Sequence, residues 1–325
     1  MISARLLLPI LAITLLISFI LSLSSGSVSL STTDILQALF STPSSDISHS
    51  ILSLRLPRTV SAMLTGALLS LAGSLMQVLV RNPLADPYVL GISGGSAVMA
   101  LVAMLAGLSG LWITSSAFVG ALLAMLLVFG LAHASGSWNP MRLLLTGVVM
   151  ASGWGALINF ILTVSPEQNL RGMLFWLMGD LSYSDSNLMP AIVLAVGLLI
   201  CWPLSRDLNV LNRGEQQASV LGVDTHQLQL ILFFIASLLT ATAVVQAGSI
   251  GFIGLVIPHL IRLLGVTDYR FLLPAAAMAG GSLLMLADTV ARTLLAPQQL
   301  PVGIITALLG IPLFLYLLQR GNKTT

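Results

Sequence analysis

Apolar residues fall in long unbroken runs along nearly the whole chain, separated by short polar stretches. Ten runs have the character of membrane-crossing helices: about 6–24, 59–80, 91–108, 112–133, 142–164, 188–204, 228–247, 250–265, 272–294 and 302–319. A crossing helix takes about 20 mostly apolar residues, because the hydrocarbon core is roughly 30 Å thick and each residue rises 1.5 Å. The runs do not alternate apolar with polar, as the strands of an outer-membrane barrel would. The first run begins after Arg5 and ends near Ser24, Ser25 and Gly26, so it has some features of a cleaved signal. Its apolar stretch is longer than a signal requires and further runs follow, so an uncleaved span is the expectation.

Composition narrows the class. Only 7% of the 325 residues are charged, against about 25% in ordinary soluble domains, and the mean hydropathy is +1.01. So few charges cannot cover the surface of a soluble protein this long. The net charge of +2 supplies no basic face for nucleic acid, and the sole cysteine, Cys201, excludes an internal disulfide. The expectation is an all-α polytopic membrane protein, with residues 1–325 forming a single transmembrane domain.

Ten crossings put both termini on one side. If that side is the cytoplasm, nine basic residues lie inside (Arg5, Arg81, Arg142, Arg206, Arg213, Arg262, Arg270, Arg320 and Lys323) and four outside (Arg55, Arg58, Arg171 and Arg292). That bias agrees with the positive-inside rule. The longest polar stretch, 205–227, then falls inside. Within it Gly214–Gly222 (GEQQASVLG) predicts a short helix with Ala218 and Leu221 on one face and Glu215 and Gln216 toward water. The outer loop at 165–187 contains Phe175 and Trp176 and predicts a second short helix at the membrane interface, where aromatic rings collect. Ala72-Gly73-Ser74 and Ala247-Gly248-Ser249 form a faint echo between the second and seventh runs, of the kind inverted repeats leave in transporters.

Catalytic chemistry is sparse. His49, His133, His226 and His259 are scattered without metal-ligand spacing, and no GxxxxGK[ST] phosphate loop exists. Gly91–Gly95 (GISGG) reads as close helix packing. Gly248, Gly251 and Gly254, followed by Pro258, allow tight contact and a local break. Ionisable groups inside a membrane are costly and candidates for function. Asp288 and Arg292, four residues apart, share a helix face and can pair. His259, beside Pro258, reads as a buried hydrogen-bonded histidine.

Several segments together resemble the FecCD-type permease family of ABC importers for iron chelates, haem and cobalamin. They are RLPR at 55–58, GALLSLAGSLMQVLVRNPLADPYVLGISGG at 66–95, LNRGEQQASVLGVD at 211–224, GSIGFIGLVIPHLIRLLGVTDYRFLLP at 248–274, LADTVART at 286–293 and LPVGIITALLGIPLFLYLL at 300–318. The resemblance covers most of the chain after residue 55. It implies a type II importer permease fold with ten helices, in a bacterial inner membrane. The implied partners are a second permease copy, two cytoplasmic ATP-binding subunits and a periplasmic or lipid-anchored binding protein. A homodimer is preferred over a heterodimer. No cofactor is expected on this chain; ATP and Mg belong to the partner subunits.

Roles follow by resemblance. Gly214, Glu215, Ala218, Leu221 and Gly222 match the segment that couples to the ATPase. Arg55, Arg58 and Arg292 match positions facing the binding protein, where arginines steer docking onto acidic residues. Asn82, Pro83 and Leu84, with Asn139, Pro140 and Met141, match loops bordering the cytoplasmic gate. The cargo expected is a ferric siderophore, with cobalamin or haem as alternatives. The rival class is an ion-coupled carrier.

Overall fold

The computed structural model describes residues 4–26, 51–133, 140–182 and 186–321. Among these the regular structure is helical throughout. The helices are α1 (Ala4–Ser24), α2 (Leu56–Leu79), α3 (Ile92–Leu105), α4 (Leu111–His133), α5 (Pro140–Val164), α6 (Glu167–Leu177), α7 (Leu188–Cys201), α8 (Ser205–Leu211), α9 (Glu215–Val220), α10 (Thr225–Ala247), α11 (Ile253–Leu263), α12 (Tyr269–Thr293) and α13 (Val302–Gly321). Each of the ten apolar runs contains one apolar helix, and the two short polar-loop helices are α6 and α9. Among the described residues six helices (α1, α2, α4, α5, α10 and α12) are long and apolar enough to cross a membrane, and α7 with α8 forms a seventh candidate bent by 69°. The protein is a multi-pass membrane protein.

Helix α2 is the axis of the fold. It packs against α10, α11 and α12, and nearly every residue from Thr59 to Leu79 is buried. A helix of large residues could not be surrounded so closely. Ser61, Ala62, Gly66, Ala67, Ser70, Ala72, Gly73 and Ser74 keep its sides flat, and small residues are what let helix backbones approach where lipid supplies no hydrophobic drive. Gly66 lies against the backbone of Gly280 on α12, and Gly73 against that of Gly254 on α11. Helix α1 packs on α12, and α3 packs on α4. Helix α5 is the least buried of the long helices in the isolated chain.

Two helices stop short. Helix α11 has 11 residues, about 16 Å of rise, and α3 has 14, about 21 Å. The chain immediately before each, 85–91 and 248–252, is buried or half-buried against its neighbours. The Ile250 amide donates to the Tyr88 hydroxyl at 3.1 Å, and Ser93 and Ser249 share a 3.0 Å hydrogen bond between the two breaks. Phe252, the residue before α11, adopts φ +71°, a left-handed conformation that costs a side-chain-bearing residue energy. Its neighbour Gly310 has no Cβ to contest the space its ring occupies.

Polar starts are capped. Asp224 accepts from the Gln227 amide at 3.0 Å to open α10, and Asp268 accepts from the Arg270 amide at 3.0 Å to open α12.

Candidate functional site

At one end of the molecule two arginines converge on one carboxylate, and a third, Arg55, binds the end of α1 beside them. Arg58, on the first turn of α2, reaches Asp288 of α12 with two nitrogens, Nη2 to Oδ1 at 2.8 Å and Nε to both oxygens at 3.1 and 3.2 Å. Arg292 Nε lies 2.9 Å from Asp288 Oδ2, the pairing that the four-residue spacing predicts. The Asp288 side chain is wholly shielded from solvent. Arg292 also reaches the Ser22 carbonyl and hydroxyl at the end of α1, and Arg55 donates to the carbonyl of Leu23 at 3.0 Å. These basic groups satisfy carbonyls that the C-terminus of α1 leaves open. The three positions read as outward-facing are therefore mostly turned inward: the Arg58 and Arg292 side chains are 13% and 9% exposed.

One edge of this cluster stays accessible. Arg58 Nη1 donates to Ser182 Oγ at 2.9 Å and Gln299 Oε1 at 2.8 Å on the solvent side. It borders a cleft of about 540 Å³ that Arg55, Arg292 and Pro297 also line. Among the described residues its lining carries three guanidiniums, with the Asp288 carboxylate buried behind Arg58 and Arg292. Beneath it, Ser61 bonds Asn187 Oδ1 at 2.6 Å, and Gln246 Nε2 donates to both at 3.0 Å, which ties α2, α7 and α10 together.

The interfacial helix departs from expectation in one respect. Trp176 of α6 is buried, packed with Val244 and Leu101, while Arg171 stacks over Phe175 at 5.6 Å. The loop after α6 is held by tertiary hydrogen bonds: the Asp180 amide to Ala247, and the Val302 and Gly303 amides to Gly179 and Met178. Tryptophan is thus used here for packing rather than as an interface anchor.

At the other end, Gln77 of α2 bonds Arg262 of α11 and the Leu255 carbonyl. Arg262 Nη2 donates to the buried Tyr269 hydroxyl at 2.9 Å, across to α12. His259 is half-buried beside this clasp. Asp86 caps the turn Pro87–Leu90 by accepting from the Tyr88 amide at 2.8 Å. Burial pushes its carboxyl up to about 6, against the pull of that hydrogen bond.

The polar stretch 205–227, expected by resemblance to couple to an ATPase, holds α8, α9 and the turn into α10. Gly214 and Gly222 bracket α9 with φ of +138° and +83°, conformations that favour glycine. Ala218 is fully buried, as predicted. Leu221 is not on that face. It lies beyond the helix, where the Val223 amide turns back to the Ala218 carbonyl, and this leaves Leu221 68% exposed beside Val220 at 87%. Glu215 sits 3.7 Å from Arg81, both partly exposed.

In the first of the two loops expected to border a gate, Asn82 closes its own turn by accepting from the Leu84 amide at 2.9 Å, with Pro83 exposed. Asn139 lies outside the described residues; Pro140 opens α5 and Met141 is exposed. Among the described residues no group of three His, Cys, Asp or Glu side chains could hold a metal. The sequence reading missed Gln77, Asn187, Gln246 and Tyr269. Two of them, Gln77 and Gln246, are uncharged polar residues inside apolar runs, a signal that a search restricted to charges passes over.

Comparison with known proteins accords with this architecture. The family model for the FecCD transport family matches residues 14–320. The hemin transport system permease protein HmuU of Yersinia pestis is 40% identical over 98% of this chain and 97% of its own length. The vitamin B12 import system permease protein BtuC of Escherichia coli is 39% identical over 96% and 94%. A solved transporter assigned to the metal-chelate type of ABC transporter, in an inward-facing conformation, superposes with a TM-score of 0.85 at 31% identity, over 98% of this chain and all of that one. With the match running through every helix from α1 to α13, the chain belongs to the FecCD transport family.

Proposed function

We propose that this chain is the membrane-spanning subunit of an ATP-binding-cassette importer in a bacterial inner membrane, and that it carries a metal chelate inward. It crosses ten times with both termini in the cytoplasm, a topology supported by a helix in every apolar run and by the nine-to-four bias of basic residues. A second copy of the chain completes the pathway. Two cytoplasmic ATP-binding subunits supply ATP and Mg, and a periplasmic or lipid-anchored binding protein delivers cargo.

The observation that carries this reading is the exposed pair Val220 and Leu221 at the tip of the polar loop. Large apolar groups standing in water on an otherwise polar segment fit burial in a partner. Around them Gly214, Glu215, Ala218 and Gly222 hold the segment that transmits ATPase closure. The binding protein docks over the arginine cleft, where an acidic side chain would replace Ser182 and Gln299 as acceptors for Arg58, flanked by Arg55 and Arg292. The loops at 82–84 and 139–141 border the inner gate. The buried carboxylate Asp288, already matched by two arginines, is poorly suited to carry a coupling proton, which weighs against an ion-coupled carrier.

A ferric siderophore is the cargo our sequence reading favours. The haem and vitamin B12 relatives support a tetrapyrrole cargo equally well. The test is uptake into proteoliposomes holding the complete importer, with a ferric siderophore, haemin and cobalamin offered separately and in competition. ATP-dependent uptake of one of them identifies the cargo. Uptake that persists without ATP and collapses with an ion gradient would overturn the importer reading.

A further inference from the structure

We propose that the bend between α7 and α8 is a binding site for the phosphate of an anionic membrane phospholipid. The chain turns there by 69° at Trp202–Leu204, where an apolar helix meets a polar one. Two adjoining clefts of about 430 and 330 Å³ open at the turn and share Asn209, Arg213 and Arg270 as lining; Trp202 and Arg206 complete the first. Arg206 and Arg213 are exposed, and neither guanidinium has an ion-pair or hydrogen-bonding partner among the described residues. Arg270 is held in place by Asp268, with Nη2 2.7 Å from Oδ2, and Asn209 fixes the other carboxylate oxygen at 2.9 Å. The lining thus carries three guanidiniums and one carboxylate that is already matched. Asp207, next to Arg206, lies outside the lining of both clefts.

What lies beside the clefts decides in favour of a lipid over a soluble anion. Leu188, Ile192, Val196 and Leu199 form an exposed apolar stripe along α7, spaced three and four apart, and it runs down to Trp202. Trp202 is 59% exposed, with its indole nitrogen bonded to the Arg270 carbonyl at 3.2 Å, the posture of an interfacial anchor. Acyl chains would lie along the stripe while the phosphate sits among the arginines. Basic pockets between membrane helices take lipid headgroups for this reason. The proposal holds for whichever leaflet this end faces, so it stands or falls separately from the importer reading.

The test is native mass spectrometry of the delipidated full chain titrated with dioleoylphosphatidylglycerol or dioleoylphosphatidylcholine. The wild type should retain phosphatidylglycerol selectively. Each arginine contributes about fivefold, so Arg206→Gln with Arg213→Gln should weaken that binding about 25-fold; both residues are exposed, so the fold should survive. Leu199→Ser should weaken it as well. Equal retention of the two lipids, or no change in the double variant, would overturn the proposal. So would full displacement by millimolar inorganic phosphate, which would mark a free-anion site.

Discussion

Arg58 and Asp288 meet at 2.8 Å across 230 residues of sequence, and the carboxylate is shut off from solvent entirely. Removing one partner of such a pair leaves buried charge uncompensated, at a cost of about 3–5 kcal/mol. Asp288→Asn strands two guanidiniums and should lower the melting temperature in detergent well beyond the loss from Gln299→Ala at the exposed edge. A melt unchanged within error would mean that the arginines find water instead.

The contact between Gly73 and Gly254 should be intolerant of a single methyl group. A Cβ on Gly73 would run into the Gly254 backbone, which cannot swing aside as a side chain can. Gly73→Ala should destabilise by about 1–3 kcal/mol, the usual cost of overpacking. Gly153, with nothing near its missing Cβ, provides the control, and Gly153→Ala should have little effect. Equal melts for the two variants would show that α11 sits further from α2.

Asp86 predicts a pH dependence. Its folded carboxyl sits near 6, above the ordinary value near 3.8, so the folded state holds the proton more tightly than the unfolded chain does. The stabilisation from protonation is complete below about 3.8 and is lost as pH rises through 6. Asp86→Asn keeps the cap and never charges. Its melting temperature relative to wild type should therefore rise between pH 5 and pH 8. A difference that stays flat would mean the carboxylate is well solvated.

The Arg262 clasp should be worth a modest amount. Tyr269→Phe removes the acceptor for Nη2 and leaves a half-buried guanidinium nitrogen short of a partner, costing about 1 kcal/mol. Hydrogen exchange should then quicken at the end of α11 while α10 is unaffected. Exchange unchanged at both would assign Arg262 to Gln77 alone.

The exposed tip of α9 should matter for ATP-driven uptake. Val220→Ser with Leu221→Ser removes the apolar contact without touching the buried Ala218. Glu215→Arg places two positive charges together at the Arg81 pair. Both should cut uptake while membrane insertion stays normal. Uptake at wild-type levels would remove the coupling role from this segment.

The helices themselves were legible in the sequence, because a run of apolar side chains in lipid leaves a helix as the means of satisfying every backbone group within one segment. The Asp288–Arg292 pair and the α9 helix were legible too, since both follow from helical spacing within a few residues. Other features came only with the tertiary structure. Nothing in the run 250–265 says that Gly254 must meet Gly73, or that the helix starts only at Ile253, because those depend on how closely a second helix approaches. Arg55 and Arg58 read as outward charges; their acceptors on α1, α12 and the 178–182 and 298–300 loops lie far away in sequence, and pairing between distant residues leaves no local pattern. Leu221 was read onto the buried face of α9 because a one-dimensional helix continues by default, whereas Gly222 and the Val223 amide end it one residue earlier. Local periodicity determined what each segment is, and the long-range packing of glycines, arginines and one buried carboxylate decided where each segment sits.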